Sequence, residues 1–303
     1  MKIAIMLAIH DKPEQANIFV KQCLTDPECE VFVHIDKKSR PIEKQLLSDK
    51  RVHVLPKSFS VEWGEFSQIR YVLYMMNYIK DYGEFDYYSV HSGCDLLVQP
   101  MESLKSYLKR TNKYAYIDCY PLPWNQWQYG GGMGRLQLVW PSWMRKRLNP
   151  HSIKRYIRAI YGRLYVFPFM RLRKIPKGID FYGKSAWHTL RKDCVEDILE
   201  FVKKRKDILK FFKTVLCGDE IFFNTVVMHM AKKRGIVNLV ERNNNLLFDD
   251  LFHGDGQLVG APKIITVDDI KAIQESGAFF ARKVDAEIDI EIINYYEEKV
   301  FCK

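Results

Sequence analysis

The chain has 303 residues, 47% hydrophobic and 14% aromatic, enough to bury a large core in one domain and too apolar for a disordered segment. Its 47 Lys and Arg against 37 Asp and Glu leave a net charge of +10, and eleven of those cations with no acid fall between Arg145 and Lys177, so nearly all of the excess sits there. Seven cysteines at irregular spacings, with no C-x-x-C pair, give neither a disulfide framework nor a zinc site, and a reducing cytoplasm is the expected home.

The opening "MKIAIMLAIH" has too short an apolar run, and no cleavage site, for a signal peptide, and reads as a buried first strand. "PEQANIFVKQCL" is a helix started by proline, and "CEVFVHID" a second strand, an order that implies a parallel pair with a right-handed crossover. "RVHVL" is a third strand, "SQIRYVLYMMNYIKDY" an amphipathic helix, and "FDYYSVHSG" a further buried strand. Residues 1–100 therefore read as a nucleotide-binding α/β half, and 101–303 as an acceptor and catalytic half within the same domain. After Met101 the pattern is less regular: a Trp-rich stretch, the basic segment 145–177, helices from about Lys192 to Phe212 and Asp219 to Lys232, a short strand "PKIIT", and helices "VDDIKAIQES" and "INYYEEKVF". No stretch is long and uncharged enough to span a bilayer.

In parallel sheets of this kind ligands sit beyond the carboxyl ends of the strands, here near His10, Asp36 and Ser92 to Asp95. Asp36, after a strand, suits a ribose or an ordinary turn. "GAFFARKVD" sets Arg282 beside Lys283, a fork and a point charge that suit a diphosphate or a solvated face. "YGGGMGRLQ" lacks the G-K-[ST] ending of a P-loop and reads as a flexible loop. In "TVLCGDEIFFNTV", Asp219 and Glu220 open a helix, where acids also favour the helix dipole, so a structural and a chemical reading stand side by side.

Six motifs in order, "FVHIDKKS", "WGEFSQIR", "SGCDLLVQP", "GKSAWHTLRKD", "GDEIFFNT" and "SGAFFARKVD", resemble the Core-2/I-branching glycosyltransferase family of β-1,6-N-acetylglucosaminyltransferases and peptide O-xylosyltransferases over almost the whole chain. The resemblance implies an α/β, GT-A-like fold with a Rossmann-like, mostly parallel sheet. It also implies a UDP-sugar donor, inversion at the anomeric carbon, and no metal or other cofactor. The sequence agrees on the metal, since no aspartate has another two positions away and the D-x-D motif is absent. By the resemblance Glu220 falls on the catalytic base. Arg282 and Lys283 fall on the diphosphate-binding element, with Lys263 near a second basic position; His10 and Asp36, with Ser92 and Asp95, fall on the donor side, and Trp187 and Asp219 on the acceptor side.

One departure is "LLFDDLF", where many members carry roughly "LRYIDW", so an aromatic acceptor platform is lost at Leu251. The animal members' anchor and disulfides are missing too, which points to a bacterial protein building a surface glycan. The expected partners are a UDP-sugar, a saccharide or lipid-linked glycan acceptor, and an anionic membrane surface met by 145–177, where cations interleave with Tyr, Ile, Leu, Val and Phe on the inner face of the membrane. Such interleaving also suits RNA, but no nucleic acid is expected. A noncatalytic binding module is the alternative of another class; it has no need of Glu220 or Lys283.

Overall fold

The computed structural model describes residues 1–149, 151–170, 173–247 and 263–301. Strands β1 (Ile3–Ile9) and β2 (Cys29–Ile35), joined by helix α1 (Pro13–Cys23), pair in parallel with Ile3 opposite Cys29. β1 is almost wholly buried because a central parallel strand is covered on both faces, which is what its unbroken apolar run serves. Pro13 opens α1, where a missing N–H costs nothing. β3 (Val52–Val54) extends the sheet beyond β2 and, after α2 (Ser67–Tyr82), β4 (Tyr87–Ser92) pairs in parallel with the other side of β1. Each element expected in this half is present.

The second half is more regular than its sequence suggested. β5 (Asp95–Leu97) and α3 (Met101–Thr111) precede β6 (Ala115–Pro121). Short turns α4 (Gln128–Gly131), α5 (Met133–Gln137) and α6 (Ser142–Arg145) lead to α7 (Ile153–Arg163) and the ten-residue β7 (Tyr182–Arg191). The expected helical stretch is α8 (Lys192–Lys204), α9 (Lys206–Phe212) and α10 (Asp219–Arg234). β8 (Val240–Glu241), β9 (Asn245–Leu247), α11 (Ile270–Ser276), β10 (Phe280–Arg282) and α12 (Glu291–Phe301) complete the order. Two expectations are corrected here. "YGGGMGRLQ" is built into α4 and α5 rather than a flexible loop, and residues 263–266 of "PKIIT" form no strand, only the bond from Ile265 N–H to the Lys283 carbonyl.

The seven-stranded sheet runs β3-β2-β1-β4-β7-β6-β8, and β7 alone is reversed. Ala4 and Met6 of β1 face a core filled by α2, α8 and α10; Ile3, Ile5 and Leu7 face Phe19 of α1 and Leu104 of α3. This is the expected α/β arrangement, a mostly parallel sheet between helical layers. A three-stranded sheet, β5-β10-β9, follows from the end of β4. Because β7 is antiparallel to β4, with Tyr87 opposite Arg191 and Ser89 opposite Thr189, residues 182–185 project past the carboxyl end of β4. They bring α10 to the edge where β1, β2 and β4 end.

The basic segment does not lie wholly on the surface. Arg145 pairs with Glu65 at 3.0 Å and donates to the Trp140 carbonyl, while Arg173 stacks on Phe211 at 3.9 Å and donates to the carbonyls of Leu138, Phe211 and Thr214. Both are internal supports, with the cation spent on carbonyls or a carboxylate that burial would otherwise leave unpaired. Arg171 lies outside the described residues, as does the expected platform position Leu251.

Candidate active site

His10 follows β1, is exposed, and lies 3.4 Å from the Asp11 carboxylate. Asp36 follows β2 and is buried; its Oδ1 accepts from Lys38 N–H at 2.8 Å and its Oδ2 from Val61 N–H at 2.9 Å. Those two bonds cap the turn after β2 and fasten the segment before α2 over the strand end. The signal for this role was present in sequence, since Asp ahead of a polar turn is a common cap.

Ser92 ends β4, and Asp95 opens β5 opposite Arg282 of β10. The Asp95 carboxylate is fully buried and accepts from Arg282 Nε at 3.0 Å, Ser92 Oγ at 2.8 Å and Asn245 Nδ2 at 3.1 Å, with His91 Nδ1 at 2.9 Å. Burial alone would raise its pKa, but the Arg282 guanidinium and the His91 and Ser92 hydrogen bonds hold it below the ordinary carboxylate range. Arg282 in turn stacks on Trp187 at 3.9 Å. Its charge is thus matched inside the protein, which makes it a support for this corner of the fold. Replacing Arg282 by Met is expected to cost about 3–5 kcal/mol, because it strands the buried Asp95 charge; urea denaturation of the variant checks this, and an unchanged midpoint would return Arg282 to the donor.

Lys283 differs from its neighbour. It is half-buried; its side chain makes no hydrogen bond or ion pair among the described residues, though its charge helps to lower the pKa of Asp285, and its carbonyl accepts from Ile265 N–H at 2.9 Å. That bond brings the 263–266 segment alongside, where Lys263 Nζ pairs with Asp269 Oδ1 at 2.7 Å. Gln15, in the first turn of α1, ties the same corner together. Its amide donates to the carbonyls of Gly93 and Val284 and accepts from Ala286 N–H.

Asp95, His91 and Ser89 form an acid-imidazole-hydroxyl line, Ser89 Oγ lying 2.7 Å from His91 Nε2. All three are about 1% exposed and Ser89 Oγ is also 2.7 Å from Thr189 Oγ1, so this line braces β4 against β7 and has no opening to a substrate.

The acid pair sits on the far side of β7. Gly218 precedes α10, so Asp219 and Glu220 occupy its first turn. The Glu220 carboxylate is 30% exposed and 2.5 Å from Arg135 Nη1, and the Arg135 guanidinium lies 4.2 Å over the Trp127 ring. Gly183 makes this contact possible: a Cβ there would sit 2.7 Å from the Trp127 ring and 2.9 Å from the Glu220 carbonyl. Gly132, at φ +88°, does the same from the other side, its absent Cβ making room for Trp127. Asp219 is buried, its Oδ1 without a partner among the described residues, and burial followed by the Glu220 charge raises its pKa to about 7. Tyr71 of α2 links the two sides. Its phenol pKa is raised, chiefly by burial, with the charges of Asp219, Arg282 and Asp95 as smaller influences. That ring also stacks on His34 at 5.0 Å; His34, lowered to about 4 by burial, is neutral and accepts Phe59 N–H at Nε2.

Sequence reading missed Arg135, Trp127, Tyr71 and Gln15. Only "GRLQ" and the Trp-rich stretch carried a signal, a cation beside glycines and aromatics near no charge. Among the described residues no group of three or more His, Cys, Asp and Glu is placed to hold a metal ion, and no helix is long and apolar enough to cross a membrane.

No protein-family model and no curated protein matches the chain. Among solved structures it is similar to mouse xyloside xylosyltransferase 1 in the apo form, at 11% identity and a TM-score of 0.38, covering 92% of this chain and 97% of that one. It is similar also to a Bacillus anthracis protein described as a glucose-1-phosphate thymidylyltransferase in complex with sucrose, at 10% identity and a TM-score of 0.38, covering 80% and 86%. Likenesses this distant carry no weight beside the geometry, and the functional reading rests on the side chains.

Proposed function

We propose that this chain is a glycosyltransferase that moves a sugar from a UDP-sugar to a saccharide hydroxyl, with inversion and without a metal. N-acetylglucosamine is the sugar we assign and xylose the second donor. The observation that carries this reading is a partly exposed carboxylate, Glu220, fixed on the end of a buried helix at the edge where the parallel strands β1, β2 and β4 end. The order of six sequence motifs resembling Core-2/I-branching enzymes supports the roles.

In the proposed reaction Glu220 takes the proton of the acceptor hydroxyl as its oxygen bonds to C1 of the sugar. The C1–O bond to UDP breaks and its electron pair leaves on the diphosphate. Lys283, whose side chain makes no hydrogen bond or ion pair among the described residues, would meet that charge, the task a metal performs elsewhere. The donor would extend from there toward His10 and Asp36, with Lys263 as a second cation. A rate gain of about a hundred- to ten-thousandfold is the usual return on a positioned base.

A panel of UDP-sugars, assayed for hydrolysis and for calorimetric binding with and without EDTA, tests the reading. UDP-N-acetylglucosamine is expected to turn over in EDTA, and Lys283→Ala to lose about tenfold or more in UDP affinity while uridine affinity changes little. Strict Mn²⁺ dependence, or equal losses for UDP and uridine, would overturn the assignment.

A membrane site is favoured by one further observation. α7 turns Ile153, Tyr156, Ile157 and Ile160 outward at 45 to 73% exposure, flanked by Lys154 and Arg163, and packs on the protein through Gly162 and Tyr161. A helix that offers its apolar face to solvent with cations beside it suits an anionic bilayer surface, where the acceptor of a lipid-linked glycan would be found.

A further inference from the structure

The strand order β3-β2-β1-β4 turns back at β1, which the chain leaves for β2 on one side before it returns to β4 on the other. In open parallel sheets the ligand crevice lies at such a turning point, here beyond the carboxyl ends of β1 and β4. Lys12 stands on the loop that follows β1. Its backbone is left-handed, φ 46° and ψ 58°, a region that residues with a Cβ rarely adopt. Its carbonyl accepts Ala16 N–H at 3.1 Å, so the start of α1 fixes the point from which the side chain leaves.

The Lys12 ammonium meets two carboxylates, Asp285 Oδ1 at 2.5 Å and Glu287 Oε2 at 3.1 Å. Both acids belong to the segment that follows Lys283. Asp285 is held below the ordinary carboxylate range first by its hydrogen bond from Lys12, and the Lys283 charge acts on it as well, so one carboxylate serves two lysines. The backbone of this segment is tied down by buried Gln15, which donates to the Gly93 and Val284 carbonyls and accepts from Ala286 N–H. The acid side chains are freer. Glu287 is 81% exposed and Asp285 25%, whereas Asp95, the partner of Arg282, is fully buried and cannot leave it.

We infer that Lys12 is a further cation of the donor site, which takes the diphosphate of a nucleoside diphosphate, and that Asp285 and Glu287 hold it until the donor arrives. An ion pair open to water adds little to the fold, because the solvent screens it. A diphosphate carries more charge than either acid, and its two phosphoryl groups can meet Lys12 and Lys283 together. Binding then exchanges one set of counter-charges for another: phosphoryl oxygens take the ammonium, and the carboxylates turn to water. The acids are thus internal competitors that lower donor affinity. The inference rests on the proposed transferase reading for the nucleotide, but not for the anion site itself.

The test is calorimetric titration of the whole chain with UDP, uridine and inorganic pyrophosphate. Lys12→Ala is expected to lose about tenfold in affinity for UDP and pyrophosphate with uridine unchanged, and Asp285→Asn and Glu287→Gln each to gain about threefold, a neighbouring charge near the surface being worth about those factors. Asn keeps the oxygen that accepts Glu287 N–H, and the exposed Glu287 carries the same test if the Asp285 variant does not fold. Only an exchange gives opposite signs; a strap between the two segments would weaken binding when cut from either end. UDP binding unchanged in Lys12→Ala, or acid variants that bind no better than the wild type, would overturn the inference and leave the transferase reading on Lys283. Pyrophosphate binding that follows the expected pattern in a protein that binds no UDP would keep Lys12 as an anion site and remove the nucleotide donor. Binding of neither would end both.

Discussion

Glu220→Gln is expected to lower sugar transfer by about a hundredfold or more while UDP affinity remains within about twofold, the loss being that of a positioned general base. The amide keeps the length and shape of the side chain but cannot accept the hydroxyl proton. Arg135 complicates the measurement, because its guanidinium is only 14% exposed and loses its counter-charge in the variant. A loss of stability must therefore be separated from a loss of chemistry, by urea denaturation on the same preparation and by UDP titration. Asp219 helps to explain why the acid pair can work at all. Two adjacent carboxylates in a low-dielectric site do not both ionise cheaply, and burial followed by the Glu220 charge raises the Asp219 pKa to about 7, while the more exposed Glu220 is paired with Arg135. A Glu220→Gln enzyme that keeps more than about a tenth of wild-type turnover would end the assignment of this residue as the base.

The parallel half of the fold was legible because its signals are local. β1 and β2 are unbroken apolar runs, and α2 carries its apolar residues at helical spacing between turn residues, so its bounds fall where the pattern begins and ends. β7 was not legible because its burial is polar: Ser185, His188 and Thr189 are all buried, and Thr189 is satisfied by Ser89 a hundred residues away. No window of sequence contains that partner. Within the candidate site, the positions of Glu220, Asp36 and Asp95 at strand or helix ends followed from the element pattern. Their partners did not. That Arg282 closes on Asp95 is decided by the register of β5 against β10, a contact across 187 residues, and the space for Trp127 beneath Arg135 is one that a Cβ at Gly183 would fill. In the basic segment, composition showed the charge but could not say that Arg145 and Arg173 turn inward.

That inward turn changes how the membrane expectation is to be tested. Reversing Arg173 would damage the core by stranding the carbonyls of Leu138, Phe211 and Thr214, so the informative cations are those on α7 itself. Lys154 and Arg163 are exposed, and Ile153, Ile157 and Ile160 recur at helical spacing on the outward side. Each cation near an anionic leaflet contributes about 1 kcal/mol, so reversing both to Glu removes about 4 kcal/mol, or roughly a thousandfold in partition. Changing the three isoleucines to Ser removes an apolar contribution of similar size, at about 0.8 kcal/mol for each methylene-equivalent buried. Sedimentation with phosphatidylglycerol vesicles is expected to bring down the wild-type chain at low salt and to leave both variants in the supernatant, with UDP affinity the same in all three. Vesicles of phosphatidylcholine alone are expected to bind weakly, because the isoleucines act without the charge. If the wild-type chain stays in solution at every anionic fraction, α7 is not a membrane contact. If the charge variant sediments as the wild type does, the cations of this helix are an ordinary solvated face.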